Sequence, residues 1–154
     1  MVDIDLLKGL TPEDAERVLA LGKRVVLTTG AELFHLGDTA DSVYVVARGR
    51  LRLTLPMQVR SHEEDILVEE RSSGQTVGWS ALIPPYRFTL TASAPLETEV
   101  IALPREALTN YFAAHHDTGY TLTLNLSSVI GHRLQLFQAM WLREIQRMVE
   151  LRCA

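Results

Sequence analysis

At 154 residues the chain fits one domain with a real core, and 47% apolar against 22% charged residues is the balance of a globular protein. A formal charge of -4, from 15 basic and 19 acidic side chains, leaves no cationic footprint for nucleic acid, and no apolar run reaches the ~18 residues of a membrane span. The acidic start Met1-Val2-Asp3-Ile4-Asp5 lacks the basic head of a signal peptide and implies a cytoplasmic chain, while the lone Cys153 excludes an internal disulfide and a cysteine-rich metal site.

Thr11-Pro12-Glu13-Asp14 predicts a helix start: a threonine cap, proline in the first turn, and acids at the positive helix end. Ala15, Val18 and Leu19 follow at helical spacing, and Gly22 predicts the stop. From Val25 to Leu103 the period becomes two. Leu33-Phe34 and Val43-Tyr44-Val45-Val46 read as short strands joined by the turn residues Gly37-Asp38 and Asp41-Ser42. Gly30, Gly37 and Gly49 stand at the corners, where positive φ is open to glycine. Leu51, Leu53 and Leu55 alternate with Arg50, Arg52 and Thr54, as in a strand with one wet face. The polar run Arg60 to Asp65 is expected to interrupt it. Ile66-Leu67-Val68 then resumes a strand, and Arg71-Ser72-Ser73-Gly74-Gln75 turns. Phe88 to Ala94 and Glu97 to Leu103 predict two further strands around Pro95. Many short strands with regular turns imply a sandwich or jelly roll.

After Pro104 the periodicity is helical. A short helix is predicted from Arg105 to Ala114, ended near His115-His116. A long one follows from about Tyr120 to Leu151, roughly 48 Å at 1.5 Å per residue. On it Ile130, Leu134, Phe137, Trp141 and Met148 recur at three- and four-residue steps, interrupted by Glu144. Such a seam is too apolar to face water over several turns, and it predicts a homodimer. Arg143, Glu144, Arg147 and Glu150 read as a solvated face.

The stretch Gly30 to Gly49 reads Gly, an apolar pair, Gly-Asp, a small residue, Asp, Tyr-apolar-apolar, Gly. In this order it resembles the opening half of the cyclic-nucleotide-binding domain of catabolite-activator (Crp/Fnr-type) regulators. Leu6 to Thr11 resembles the family's lead-in, and the resemblance extends to about residue 140. It implies a mainly β fold with flanking helices, a double-stranded β-helix or jelly roll with a long C-terminal dimerisation helix. Residues 1–118 would form the roll with its N-terminal helix, and 119–154 the long helix, with no helix-turn-helix domain after it.

Gly78 to Ala92 falls where the family carries its phosphate-binding cassette, typically Gly-Glu-x-Ala-Leu, a loop, then Arg-x-Ala-Ser/Thr. There a glycine turn aims backbone N–H groups at the phosphate, an arginine neutralises it, and the glutamate accepts from the ribose hydroxyl. Gly78, Ala81 and Leu82 match, and Ser80 offers its N–H and hydroxyl. Trp79 replaces the glutamate; indole only donates, so the ribose contact is lost and the ring becomes a plug or wall. Two registers are open. Aligned on Thr89, Leu90 and Ala92 without a gap, Tyr86 takes the arginine position; a shorter Pro84-Pro85 loop gives it to Arg87 instead. A one-residue slip reverses the face, so the two exclude each other. Arg87 is then an anion clamp or a surface arginine.

By the same resemblance Gln138 would hydrogen-bond a base and Phe137 stack on one, although the seam is the stronger reading of Phe137. His35, His62, His115, His116 and His132 are scattered without a second ligand, and no nucleophile elbow, paired carboxylates or metal-helix motif is visible. The expected function is therefore a non-enzymatic, dimeric sensing module for a small anionic, nucleotide-like ligand or a partner protein. It uses no metal, and cyclic nucleotide binding is weakened or lost. The alternatives are the sensor half of a transcription regulator lacking its DNA-binding domain, and a β-roll scaffold without a ligand.

Overall fold

The computed structural model describes residues 3–154; the expectation drawn from Met1 and Val2 lies outside them. Helix α1, Pro12–Leu19, starts where its cap demands: the Asp14 N–H donates to Thr11 Oγ1 at 3.1 Å. It ends before Gly22, which serves close packing rather than the stop. A Cβ there would stand 2.8 Å from the Ala102 carbonyl oxygen.

Eight strands follow: β1 Lys23–Leu27, β2 Glu32–Phe34, β3 Ser42–Arg48, β4 Arg50–Val59, β5 His62–Ser72, β6 Thr76–Val77, β7 Thr91–Ser93 and β8 Thr98–Pro104. They form two four-stranded antiparallel sheets, ordered β1-β8-β3-β6 and β2-β7-β4-β5. Val43, Val45, Val46, Leu51, Leu53, Val100 and Leu103 are at 2% exposure or less. The register sets Val43, Val45 and Leu103 on one face of their sheet and Val46 and Val100 on the other, so that sheet is covered on both sides. Burying such side chains contributes roughly 1.5–3 kcal/mol each. This is the expected mainly β roll with flanking helices.

Two strand assignments change. Only Arg60 and Ser61 turn, Arg60 at φ +57°, and His62 to Asp65 belong to β5, paired back to Val59 through Pro56. β7 covers only Arg52 to Thr54 of β4, so the outer half of this hairpin is a two-stranded arm. With no sheet beneath it, the arm needs no apolar alternation. Phe88 and Leu90 are buried without joining β7. Phe88 instead exchanges backbone hydrogen bonds with the Gly37-Asp38 turn, at 2.8 and 3.0 Å.

Helix α2, Arg105–Ala114, agrees with the pattern. Helix α3, His116–Cys153, begins four residues earlier than the pattern suggests and runs for 38 residues, about 57 Å. Gly119 lies inside it, because a Cβ there would meet Phe112 at 2.9 Å; the glycine lets α2 and α3 close on each other. Leu122, Leu126, Val129 and Arg133 turn toward the roll and are buried. Beyond Arg133 no described residue of α3 is buried.

Gly49 joins β3 to β4 at φ +92°, with Thr98 Oγ1 only 2.6 Å from where a Cβ would sit. Gly49→Ala combines a left-handed penalty of about 1–2 kcal/mol with a clash against backbone. The expected result is an unfolding free energy lowered by at least that amount, read as a lower urea midpoint at unchanged slope.

Candidate functional site

The cassette forms where β6 ends. Gly78 takes φ +80°, and a Cβ there would come within 3.2 Å of both the Ser42 carbonyl oxygen and the Tyr44 ring. One 3₁₀ turn, Trp79–Leu82, follows, closed by the Ala81 N–H donating to the Gly78 carbonyl at 3.1 Å. Gly78, Trp79, Ser80 and Thr89 line a pocket of about 10 Å³ against Phe34, Leu53, Phe88 and Leu90. That is room for about one water molecule, far below the roughly 300–1,000 Å³ of ordinary small-molecule sites. The Phe34 and Phe88 rings, stacked with centroids 3.7 Å apart and planes at 7°, occupy part of the space.

The remaining residues expected at the site stand elsewhere. Ala81 is fully buried in the core, and Leu82 packs on the core from outside the pocket. Tyr86, at φ +58°, lies under the Arg105 guanidinium, 4.0 Å from its ring centroid. Arg105 also donates to the carbonyls of Ala40 at 2.8 Å and Ala81 at 3.1 Å, tying α2 to the cassette. Arg87 is exposed and donates to the Gly37 carbonyl at 2.9 Å, so it braces a turn and does not line the pocket. Neither register thus brings its residue to the pocket: the chain between Pro84 and Phe88 pairs with the Gly37–Ala40 loop instead. Phe137 and Gln138 are exposed on α3, one turn beyond the pocket wall.

The cation that does line the pocket is Arg133. Its Nε donates to Glu69 Oε2 at 2.7 Å, and the other oxygen of Glu69 accepts from Arg71 Nη1 at 2.9 Å. Arg71 also donates through Nε and Nη2 to the Thr76 carbonyl, at 3.2 and 3.1 Å, and lies 3.5 Å from Asp5. Asp5 in turn accepts from the Thr76 N–H and hydroxyl. The side chains of Arg71, Arg133 and Glu69 are 7%, 8% and 12% exposed. Burial pulls the Arg133 guanidinium below its ordinary value, and the Glu69 carboxylate opposes the shift.

The sequence pattern holds one clue to this cluster. Arg133 sits seven residues after Leu126 and four after Val129, on the stripe of α3 that faces the roll. A cation on a buried stripe requires a buried partner. Glu69 and Arg71 carry no such signal, being charged residues in a strand next to a polar turn. Among the described residues no cluster of three or more histidine, cysteine or acidic side chains is placed to hold a metal ion. Nor is any described helix long and apolar enough to cross a membrane.

The family profile described as cyclic nucleotide-binding domain matches residues 24–115. The cyclic AMP receptor protein of Thermus thermophilus is 26% identical over 148 residues, which cover 95% of this chain and 61% of the receptor. Lysophospholipase nte1 of Neurospora crassa is 29% identical over 113 residues, covering 73% of this chain and 7% of that enzyme. The crystal structure of the Thermus thermophilus catabolite activator protein superposes with a TM-score of 0.75 at 24% identity, over 92% of this chain and 63% of that one. The chain therefore spans less than two thirds of these relatives, and the part of the lysophospholipase it resembles is a small fraction of that enzyme.

Removing one member of a buried ion cluster strands the others, at a cost of about 3–5 kcal/mol. Glu69→Ala is expected to lose that much in urea unfolding. Glu69→Ala with Arg133→Met should recover part of the loss, because the stranded cation goes as well.

Proposed function

The chain belongs to the cyclic nucleotide-binding domain family, and from that premise we propose that it is a non-enzymatic regulatory module whose pocket takes a small anionic group. Cyclic AMP and cyclic GMP bind it weakly or not at all. Arg133 supplies the positive charge, with Gly78, Trp79, Ser80 and Thr89 around it. The observation that carries this reading is the pairing of Arg133 with Glu69 behind a pocket walled by Trp79 and the Phe34–Phe88 stack. An anion entering the pocket meets a guanidinium whose charge is already offset by the Glu69 carboxylate on its Nε, and a ligand gains from Arg133 only against that opposing charge. The indole at Trp79 offers no acceptor to a sugar hydroxyl, and an unpaired hydroxyl in a closed site costs about 1–3 kcal/mol.

The roll is the sensing part in this reading and α3 the dimer arm. Ile130 is half-buried against its own roll, which moves the free seam to Leu134, Phe137, Trp141 and Met148. These lie on one side of the helix, at 36% to 67% exposure. Glu144, the polar interruption, has a partner on its own helix, accepting from Arg147 at 3.2 Å. A second copy presenting the same stripe fits this face best, since the exposed part of so long a helix is marginal alone. The 61% coverage of the Thermus receptor favours a second reading, in which roll and helix are the sensing part of a longer regulator. In both readings this chain, at -4, does not retain duplex DNA.

Calorimetry with cyclic AMP and cyclic GMP should show Kd values weaker than about 100 µM for the unmodified protein, an affinity between the millimolar and micromolar levels. Trp79→Glu, which restores an acceptor, should tighten binding by about tenfold or more. Micromolar binding without the substitution contradicts the reading, and no response from either protein favours the scaffold alternative. Light scattering is expected to return about twice the 17.2 kDa chain mass. Trp141→Glu should reduce it to one, and an unmodified monomer would remove α3 as a dimer arm.

A further inference from the structure

A groove of about 280 Å³ opens on the opposite side of α3 from the seam, and it is wider than the cassette pocket. Its floor is the ion cluster seen from outside. Its walls are the N-terminal 3₁₀ turn Asp5–Leu7 with Lys8, and Asn125, Ser128 and His132 of α3. These three helix residues fall at steps of three and four, so they share one stripe. Leu134 of the seam lies two residues beyond His132, about 200° around the helix. Dimerisation along the seam therefore leaves the groove open.

The charges converging here are unbalanced. Lys8 and Arg71 face the space with the His132 ring, and Asp5 is the acid among the lining residues. The Asp5 carboxylate accepts from the Thr76 N–H and hydroxyl and pairs with Arg71, and Glu69, behind Arg71, is shared with Arg133. This leaves the Lys8 ammonium without an acid among the lining residues. Arg71 is 6% exposed, and its hydrogen bonds go to Thr76 and Glu69. A guanidinium has five N–H groups; these bonds use three, and the Asp5 carboxylate 3.5 Å from Nη2 faces a fourth. A buried cation thus keeps one N–H of Nη1 unspent at the floor of a polar groove. Asn125 holds the rim in shape, its Nδ2 donating to the carbonyls of Leu6 and Lys8, both at 2.8 Å.

We infer that this groove is a second anion site, distinct from the cassette, which binds a small phosphate-bearing ligand between Arg71, Lys8 and His132. The free Nη1 N–H of Arg71 meets a phosphate oxygen at the floor, and the Lys8 ammonium and the His132 ring close on it from the two rims. The Ser128 hydroxyl lies within the same lining and adds a neutral donor. The groove accepts the phosphate group itself, so a free phosphate and a phosphomonoester share this chemistry.

The test is an amide NMR titration of the full chain with inorganic phosphate at constant ionic strength, chloride being the exchanged ion. Saturable shifts are expected at Leu6 to Lys8 and Asn125 to His132, with a midpoint of their own that does not follow any phosphate entry at Gly78 to Ser80. Lys8→Glu and His132→Ala alter exposed side chains, so folding is not at stake. Lys8→Glu should weaken binding about tenfold and His132→Ala severalfold. The cassette variant Ser80→Ala should leave it unchanged. Repeating the titration with glycerol phosphate separates the two sources, since a phosphomonoester that binds more tightly is the favoured occupant. Non-saturating or uniformly spread shifts, equal affinity in Lys8→Glu, or shifts confined to Gly78 to Ser80 would each overturn the assignment.

Discussion

The structure turns on one carboxylate held between two guanidinium groups. Glu69 on β5 gives one oxygen to Arg71 and the other to Arg133, at 2.9 and 2.7 Å. All three charges are nearly out of water, where an ion is tolerated only with its partners in place. The requirement reaches beyond the cluster. Arg71 anchors the Thr76 carbonyl and sits beside Asp5, so β5, β6 and the N-terminal turn are set by the same group that sets α3. The long helix is thereby fixed on the roll at Arg133, the last of its buried residues.

That fixation shapes the pocket. Arg133 contributes to its wall but arrives already paired, while Trp79 and the stacked Phe34 and Phe88 take up room. The backbone of the cassette survives: Gly78 keeps its left-handed turn, and Ser80 and Ala81 stay buried beneath it. What has changed is the charge pattern. The cation comes from the helix, and the carboxylate beside it comes from β5. Arg87 spends its guanidinium on the Gly37 turn and Arg105 on the carbonyls of Ala40 and Ala81, so both serve the loops rather than the cavity.

The fold was largely legible in the chain because most strands have one dry face and most turns need glycine. Leu51 and Leu53 alternate with arginines for that reason, and Gly49 admits no side chain. The pattern failed where its physical cause is missing. The outer arm of β4 and β5 packs on no second layer, so His62 to Asp65 carry no alternation. The pattern starts the long helix at about Tyr120 because glycine disfavours helix, whereas Gly119 lies inside α3 and answers to the Phe112 ring. The cassette backbone could be placed from Gly78, Ala81 and Leu82. Its electrostatics could not, because Arg133 lies 64 residues beyond Glu69 in the chain and only the fold brings it to the Glu69–Arg71 pair.

The most direct test of this account is the hydrogen exchange of the Arg133 Nε–H, followed by nitrogen-detected arginine NMR with Arg87 as an exposed internal reference. A guanidinium clasped by Glu69 beneath the surface should exchange orders of magnitude more slowly than Arg87, at a rate that follows opening of the fold. Glu69→Gln should abolish that protection. Equal exchange at Arg133 and Arg87 in the unmodified protein would mean that the cluster is open to water and that α3 is held on the roll by apolar contacts alone.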